Sequence, residues 1–227
     1  VEHEILFGGK MSYATIPPST PSTNVVNAFQ RMRKGALMIL IAWIFLGIGL
    51  TIMIGGVFAA MMWGFVEGGA LVGALSGLVL GIVLIVVGAI IALIGFYADF
   101  IPGTSGLAQV SPEFSTASSL IKIGYVWGLI LCLVGAILTL LIVGIFILII
   151  GLVFLLIGFV GIIILCFKLN DEYRNVLYLI AGIFFILSIF LGFLGIVAWI
   201  LLYVALGDTL RKLQTTAGPA QPSLIQV

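Results

Sequence analysis

Between residues 35 and 98 the chain runs for 64 residues with one charged side chain, Glu67. As a single helix that run would reach about 96 Å, roughly three times the hydrocarbon thickness of a bilayer, so it must fold back on itself. Two more such runs follow. Residues 120–167 hold only Lys122, and residues 176–207 hold no charge at all. Runs of this length exceed the buried helices of a soluble domain. The whole chain agrees: 63% of its 227 residues are hydrophobic and 7% charged, against about 25% charged in soluble domains. The expected fold class is all-α, an integral membrane helical bundle.

Turn signals divide the runs. Glu67-Gly68-Gly69 breaks the first into spans near 36–64 and 70–97, and Ile142-Val143-Gly144 splits the second. The third run has 32 residues (176–207), about 48 Å as a helix, which is long for one span and short for two. A short hairpin turning at Gly192-Phe193-Leu194-Gly195 is expected there. Between the runs lie residues 99–119, with Pro102, Gly103, Gly106 and a Ser111-Pro112 helix start, and residues 168–175. Both read as polar loops.

Charge placement selects among these options. With six spans in three hairpins, Lys10, Arg31, Arg33, Lys34, Lys122, Lys168, Arg174, Arg211 and Lys212 all fall on one side. The opposite turns carry no Lys or Arg. The positive-inside rule makes the charged side cytoplasmic, with both termini on it. One span in the third run would put Arg211 and Lys212 on the other side. Tyr97, Tyr125, Trp127, Tyr173 and Tyr203 fall near span ends, where interfacial aromatics belong.

The ends read differently. Residues 1–10 have the look of a leader outside the natural protein, because Gly8-Gly9-Lys10-Met11 is what a translated ribosome-binding site before a start codon would give. Residues 11–30 form a Pro/Ser/Thr-rich cytoplasmic tail and a short helix. The apolar side of that helix, Val25, Val26, Phe29 and Met32, is expected to lie on the membrane surface. Residues 31–212 are the transmembrane domain, and 213–227 a second disordered tail.

Glycines carry the sharpest pattern. Gly69, Gly73, Gly77 and Gly81 recur every fourth residue, and Gly88 and Gly95 follow at sevens. Gly73 to Gly95 stay within a stripe roughly 80° wide on one helix face. The seven-residue step returns in Gly144, Gly151 and Gly158, and in Gly128 and Gly135 after Gly124. Gly73, Gly77, Gly81, Gly88, Gly95, Gly128, Gly135, Gly144, Gly151 and Gly158 are therefore the candidate helix-packing residues, first within the chain's own hairpins.

Reactive chemistry has little to draw on. His3 is the only histidine, so neither a His-based metal site nor a triad has its residues. Gly73-Ala74-Leu75-Ser76-Gly77 superficially resembles the serine motif of intramembrane proteases, but Ser76 has no histidine to activate it. Glu67, Asp99 and Lys122 sit at span ends rather than mid-membrane, which removes the usual markers of an ion pathway. Thr51, Ser76, Thr139 and Ser188 can bond to their own helix carbonyls. Cys132 and Cys166 read as apolar fillers, too far apart in the bundle for a disulfide. No catalytic, metal or cofactor-binding residue is expected, and a net charge of +1 gives no reason to expect nucleic acid.

Arg33-Lys34-Gly35-Ala36 opens the first span and Leu120-Ile121-Lys122-Ile123-Gly124 the third. Tyr173, Leu177 and Gly182 lead toward Ala198-Trp199-Ile200-Leu201-Leu202-Tyr203-Val204-Ala205-Leu206-Gly207. Together these resemble a family of archaeal multispanning membrane proteins catalogued only as a domain of unknown function, over about residues 28–207. The resemblance implies an archaeal cell-membrane protein and brings no activity, cofactor or catalytic residue. The functional expectation is a non-enzymatic structural or assembly component of the membrane. Its partners would be the lipid bilayer and either a second copy of itself or another membrane subunit. The alternative is a passive channel or small-solute permease.

Overall fold

A computed structural model describes residues 23–63, 69–138 and 143–216. The corners expected at Glu67-Gly68 and at Ile142, and Thr139 with them, lie outside the described residues. Among the described residues the chain is helical apart from short corners, with no strand. Helix α1 (Thr23–Trp63) pairs with α2 (Gly69–Ile94), α4 (Ser115–Ile137) with α5 (Val143–Tyr173), and α6 (Val176–Ser188) with α7 (Leu194–Thr216). A π-helical segment (Gly95–Phe100), α3 (Ile101–Val110) and a 3₁₀ turn (Pro112–Phe114) join the first hairpin to the second. Among the described residues, five helical segments are long and apolar enough to cross a membrane, and Val176–Ser188 is a shorter apolar helix. This is the helical membrane bundle the apolar runs require.

Along the α1–α2 seam the backbones come together at small residues. A Cβ added to Gly81 would lie 2.7 Å from the Gly49 carbonyl oxygen, and one on Gly88 would lie 3.0 Å from that of Ala42. One on Gly35 would meet the Gly95 carbonyl at 2.7 Å. Gly35, Ala42, Gly49 and Gly56 are themselves seven apart, so α1 carries a small-residue row that meets the one on α2. The α4–α5 seam has the same construction. Gly124 lies against the Gly158 backbone, and a Cβ on Gly135 would be 2.6 Å from the Leu148 nitrogen.

Three local expectations are corrected. Residues 99–119 are not a loop. The second span continues through the π segment into α3, breaks only at the extended residue Ser111, and resumes at Pro112. Pro102 lacks the N–H for an α-helical bond and its ring would clash with the carbonyl four residues back. The wider π turn before it absorbs that conflict, with Ile101 N–H bonding Phe96 O, five residues back. Ser111 makes no side-chain cap bond, although Pro112 does take the first turn.

Residues 168–175 are likewise mostly helix. α5 runs to Tyr173, leaving Arg174 and Asn175 as the corner. Arg174 adopts φ 49° and its N–H bonds Asn170 O at 2.9 Å, a left-handed helix stop. The helix expected on the membrane surface is the first part of α1, which continues without a break. Val25, Phe29 and Met32 are buried in protein, so protein and not headgroups covers that side.

The third run does fold as a hairpin, turning at 189–193, slightly before the expected corner. Short-range bonds such as Phe190 N–H to Leu187 O (3.0 Å) and Leu194 N–H to Leu191 O (2.9 Å) close it. α6 has 13 residues and reaches about 20 Å, whereas the 41-residue α1 reaches about 61 Å. The hairpins are thus unequal: two long arms and one short one.

The buried core is not distributed along the arms. It gathers where α1 begins, where α3 and the π segment lie, and where α5, α6 and α7 approach their charged ends. There Phe29, Phe100, Phe114, Ile121, Leu165, Tyr178 and Leu202 are almost wholly buried. Beyond that base the arms expose residues such as Ile48, Phe58, Val83, Leu133 and Phe146, the surface expected of helices in lipid.

Gly81→Leu drives a side chain into the Gly49 backbone and should destabilise the first hairpin by about 3 kcal/mol or more. Gly73→Leu meets nothing within 4 Å and should stay within about 0.5 kcal/mol of wild type. Thermal unfolding of both variants in the same detergent separates these outcomes.

Candidate functional site

Polar side chains are concentrated at the charged base of the bundle. α1 contributes Arg33 and Lys34 just before its apolar run, the π segment contributes Asp99, and the α5–α6 corner contributes Asn175. The last turns of α7 contribute Tyr203, Asp208, Thr209, Arg211 and Lys212. Three connected arrangements result. Lys34 Nζ bridges to Asp99 at 3.2 Å, tying α1 to the π segment. The Asn175 side-chain oxygen accepts from Leu177 N–H at 3.1 Å, capping α6, while its amide donates to Asp208 at 3.1 Å. Lys212 closes that chain on Asp208 at 2.8 Å. Beside it, the buried Tyr178 hydroxyl donates to Thr209 at 2.9 Å.

Arg33 stands apart from these pairs. Its Nη2 donates to the Tyr203 hydroxyl at 3.2 Å and its guanidinium carbon lies 4.9 Å from the Tyr203 ring centre, a cation–π distance. Gly207, one turn beyond Tyr203, leaves the room: a Cβ there would come within 3.3 Å of Arg33 Nε. Two cavities flank the guanidinium, about 480 Å³ beside Lys34 and Leu37 and about 570 Å³ beside Val204 and Arg211.

The candidate glycines fall elsewhere. Gly77, Gly81, Gly88 and Gly95 face α1, and Gly128, Gly135, Gly151 and Gly158 lie in the α4–α5 seam. Gly144 is buried in α5, and Gly73 faces open space. Thr51, Ser76 and Ser188 donate to their own helix carbonyls at 2.7–2.8 Å. Cys132 and Cys166 are free thiols on different seams, against Gly151 and Gly182. Among the described residues no three His, Cys, Asp or Glu side chains gather to hold a metal. Sequence reading placed Arg33 and Tyr203 at span ends without joining them, because 170 residues separate the pair. The available signal was Gly207 on the face of Tyr203, a gap beside an interfacial aromatic.

Apolar helices in hairpins rooted in one charged base define a polytopic helical membrane protein. The chain belongs to the family described as "Protein of unknown function (DUF973)", whose model matches residues 25–226. Comparison with curated proteins and with solved structures found no match.

Asn175→Ala removes both the α6 cap and the link to Asp208. It should cost about 1–2 kcal/mol, read as a lower unfolding midpoint in detergent.

Proposed function

We propose that this protein is a non-enzymatic assembly component of the membrane, associating laterally with further copies of itself through the outer face of α1. One observation carries the reading. Gly47, Thr51, Gly55 and Ala59 follow one another at four-residue steps on α1, all exposed. Gly47 and Thr51 lie about 150–170° around the helix from the Gly49–Gly56 side that meets α2, Gly55 about 110°, and Ala59 at the edge nearest that side. A Cβ on Gly47 or Gly55 would meet nothing within 4 Å, and Thr51 keeps its hydroxyl on the Gly47 carbonyl at 2.8 Å. A small-residue row with satisfied polar groups lets another helix approach closely, which is how helices associate when lipid removes the hydrophobic drive. The same chemistry already lines the two internal seams. A second copy supplies the matching row without any further partner.

The positive charge at the base supports a cytoplasmic placement of that end and of both termini. The polar base then faces the cell interior, and the arm tips reach the outer leaflet.

In mild detergent the wild-type chain should elute as a dimer or larger by light scattering. Gly47→Leu with Gly55→Leu should give a monomer with an unchanged unfolding midpoint. A wild-type monomer, in detergent and under cross-linking in native membranes, overturns the assembly reading. Solute flux in reconstituted liposomes that Gly77→Leu abolishes would replace it with a passive pore. For orientation, Gln214→Cys in a chain with Cys132→Ala and Cys166→Ala should react with a membrane-impermeant maleimide only after permeabilisation. Labelling of intact cells reverses the topology.

A further inference from the structure

Among the described residues, the base holds a guanidinium that no carboxylate pairs with. Asp99 is taken by Lys34, and Asp208 by Asn175 and Lys212. Among the described residues neither Arg33 nor Arg211 joins an ion pair. Arg33 Nε is also buried and makes no hydrogen bond, an omission uncommon for a buried donor. The guanidinium is nevertheless held firmly, by the Tyr203 ring and hydroxyl on one side and by the space over Gly207 on the other. Tyr203 accepts from Arg33, which leaves its own hydroxyl proton free to be donated.

The two cavities beside this group are amphipathic. Each has Arg33 and Tyr203 in its wall, with Lys34 added in one and Arg211 in the other, where the Asp208 carboxylate also lies but is already held by Lys212 and Asn175. Each also opens onto apolar surface running away from the charged base. On α1 the exposed row is Leu37, Ile41 and Ile44, and on α7 it is Val204 and Ile200. α1 leaves the base as its numbers rise and α7 as its numbers fall, so both rows lead from the arginine into the bilayer. A soluble anion uses the cations alone. A molecule with an anionic head and apolar chains uses the cations and both rows together.

We propose that Arg33 and Arg211 bind the phosphate of an anionic phospholipid, with its acyl chains lying along α1 and α7 on either side of Tyr203. Arg33 forms charge-assisted bonds to the phosphate oxygens. Lys34, 61% exposed despite its bridge to Asp99, and Arg211 supply the surrounding positive field. The site is independent of the assembly face, which lies farther along α1.

Native mass spectrometry of the full-length, delipidated protein tests this, titrated with palmitoyl-oleoyl phosphatidylglycerol or with the matching phosphatidylcholine. The phosphatidylglycerol should be retained about tenfold more tightly. Arg33→Gln and Arg211→Gln should each weaken it by about tenfold while phosphatidylcholine is unaffected. Arg211 is exposed, so its variant tests the site even where Arg33→Gln lowers the yield of folded protein. Equal retention of the two lipids overturns the proposal, and so does unchanged phosphatidylglycerol binding in the Arg211 variant. Inorganic phosphate is the third titrant. If it binds alone and displaces phosphatidylglycerol at equal concentration, the ligand is a soluble anion and the lipid assignment falls.

Discussion

Three hairpins in lipid have no hydrophobic reason to hold one another, since lipid tails solvate their surfaces as well as protein does. What joins them is a run of aromatic rings that starts at the charged base and extends along the short hairpin into the apolar region. Phe96 and Phe100 of the π segment stack at 5.3 Å, and Phe100 meets Trp199 of α7 edge-on at 5.3 Å. Trp199 meets Phe185 of α6 at 5.4 Å, and Phe185 meets Phe159 of α5 at 5.8 Å. Phe96 also lies 4.3 Å from Tyr125 of α4. Each hairpin contributes rings to this junction, at about 0.5–1.5 kcal/mol per pair beyond buried area. Among the described residues, α2 has no substantial neighbour except α1 and the π segment, and the two long arms do not pack substantially on each other.

The π segment is therefore more than a way around Pro102. It turns Phe96, Asp99 and Phe100 into the base at once: two rings for the junction and one carboxylate for Lys34. A regular α-helix over the same residues would shift the register of everything after it, including the approach of Gly103 to Met32 and Ala28 on α1. Widened turns of this kind often mark functional regions of membrane helices. Here the local strain of a proline and the global need for a junction fall at one position, and one irregular turn serves both.

Much of the architecture was legible before any coordinates. Apolar run lengths required folding back, and keeping Lys and Arg on one side called for a hairpin in 176–207, where α6 and α7 do turn back on each other. Of the glycine steps, Gly77, Gly81, Gly88 and Gly95 lie against α1 and those on α4 and α5 lie along their shared seam, whereas Gly73 faces open space. The matching row Gly35, Ala42, Gly49 and Gly56 on α1 was harder to see, because Ala stands at one position and Gly47 and Gly55 interleave with it. Residues 99–119 misled for a physical reason. Gly103, Thr104 and Ser118 are small because helices α1, α3 and α4 crowd together, not because the chain turns there. Gly and Pro report what a backbone can do, and only the neighbours decide what it does.

By itself the sequence determined the solvent of this protein, its helical class and the pairing of adjacent spans. These depend on the local cost of burying charge and on side-chain periodicity, both readable within a few dozen residues. Tertiary structure decided where the hairpins meet and that Arg33 lies against Tyr203 with its buried Nε unpartnered among the described residues. Arg33 and Tyr203 are 170 residues apart, and Lys34 and Asp99 are 65 apart. No local pattern encodes such contacts, since they follow from how three unequal hairpins dock on one aromatic junction.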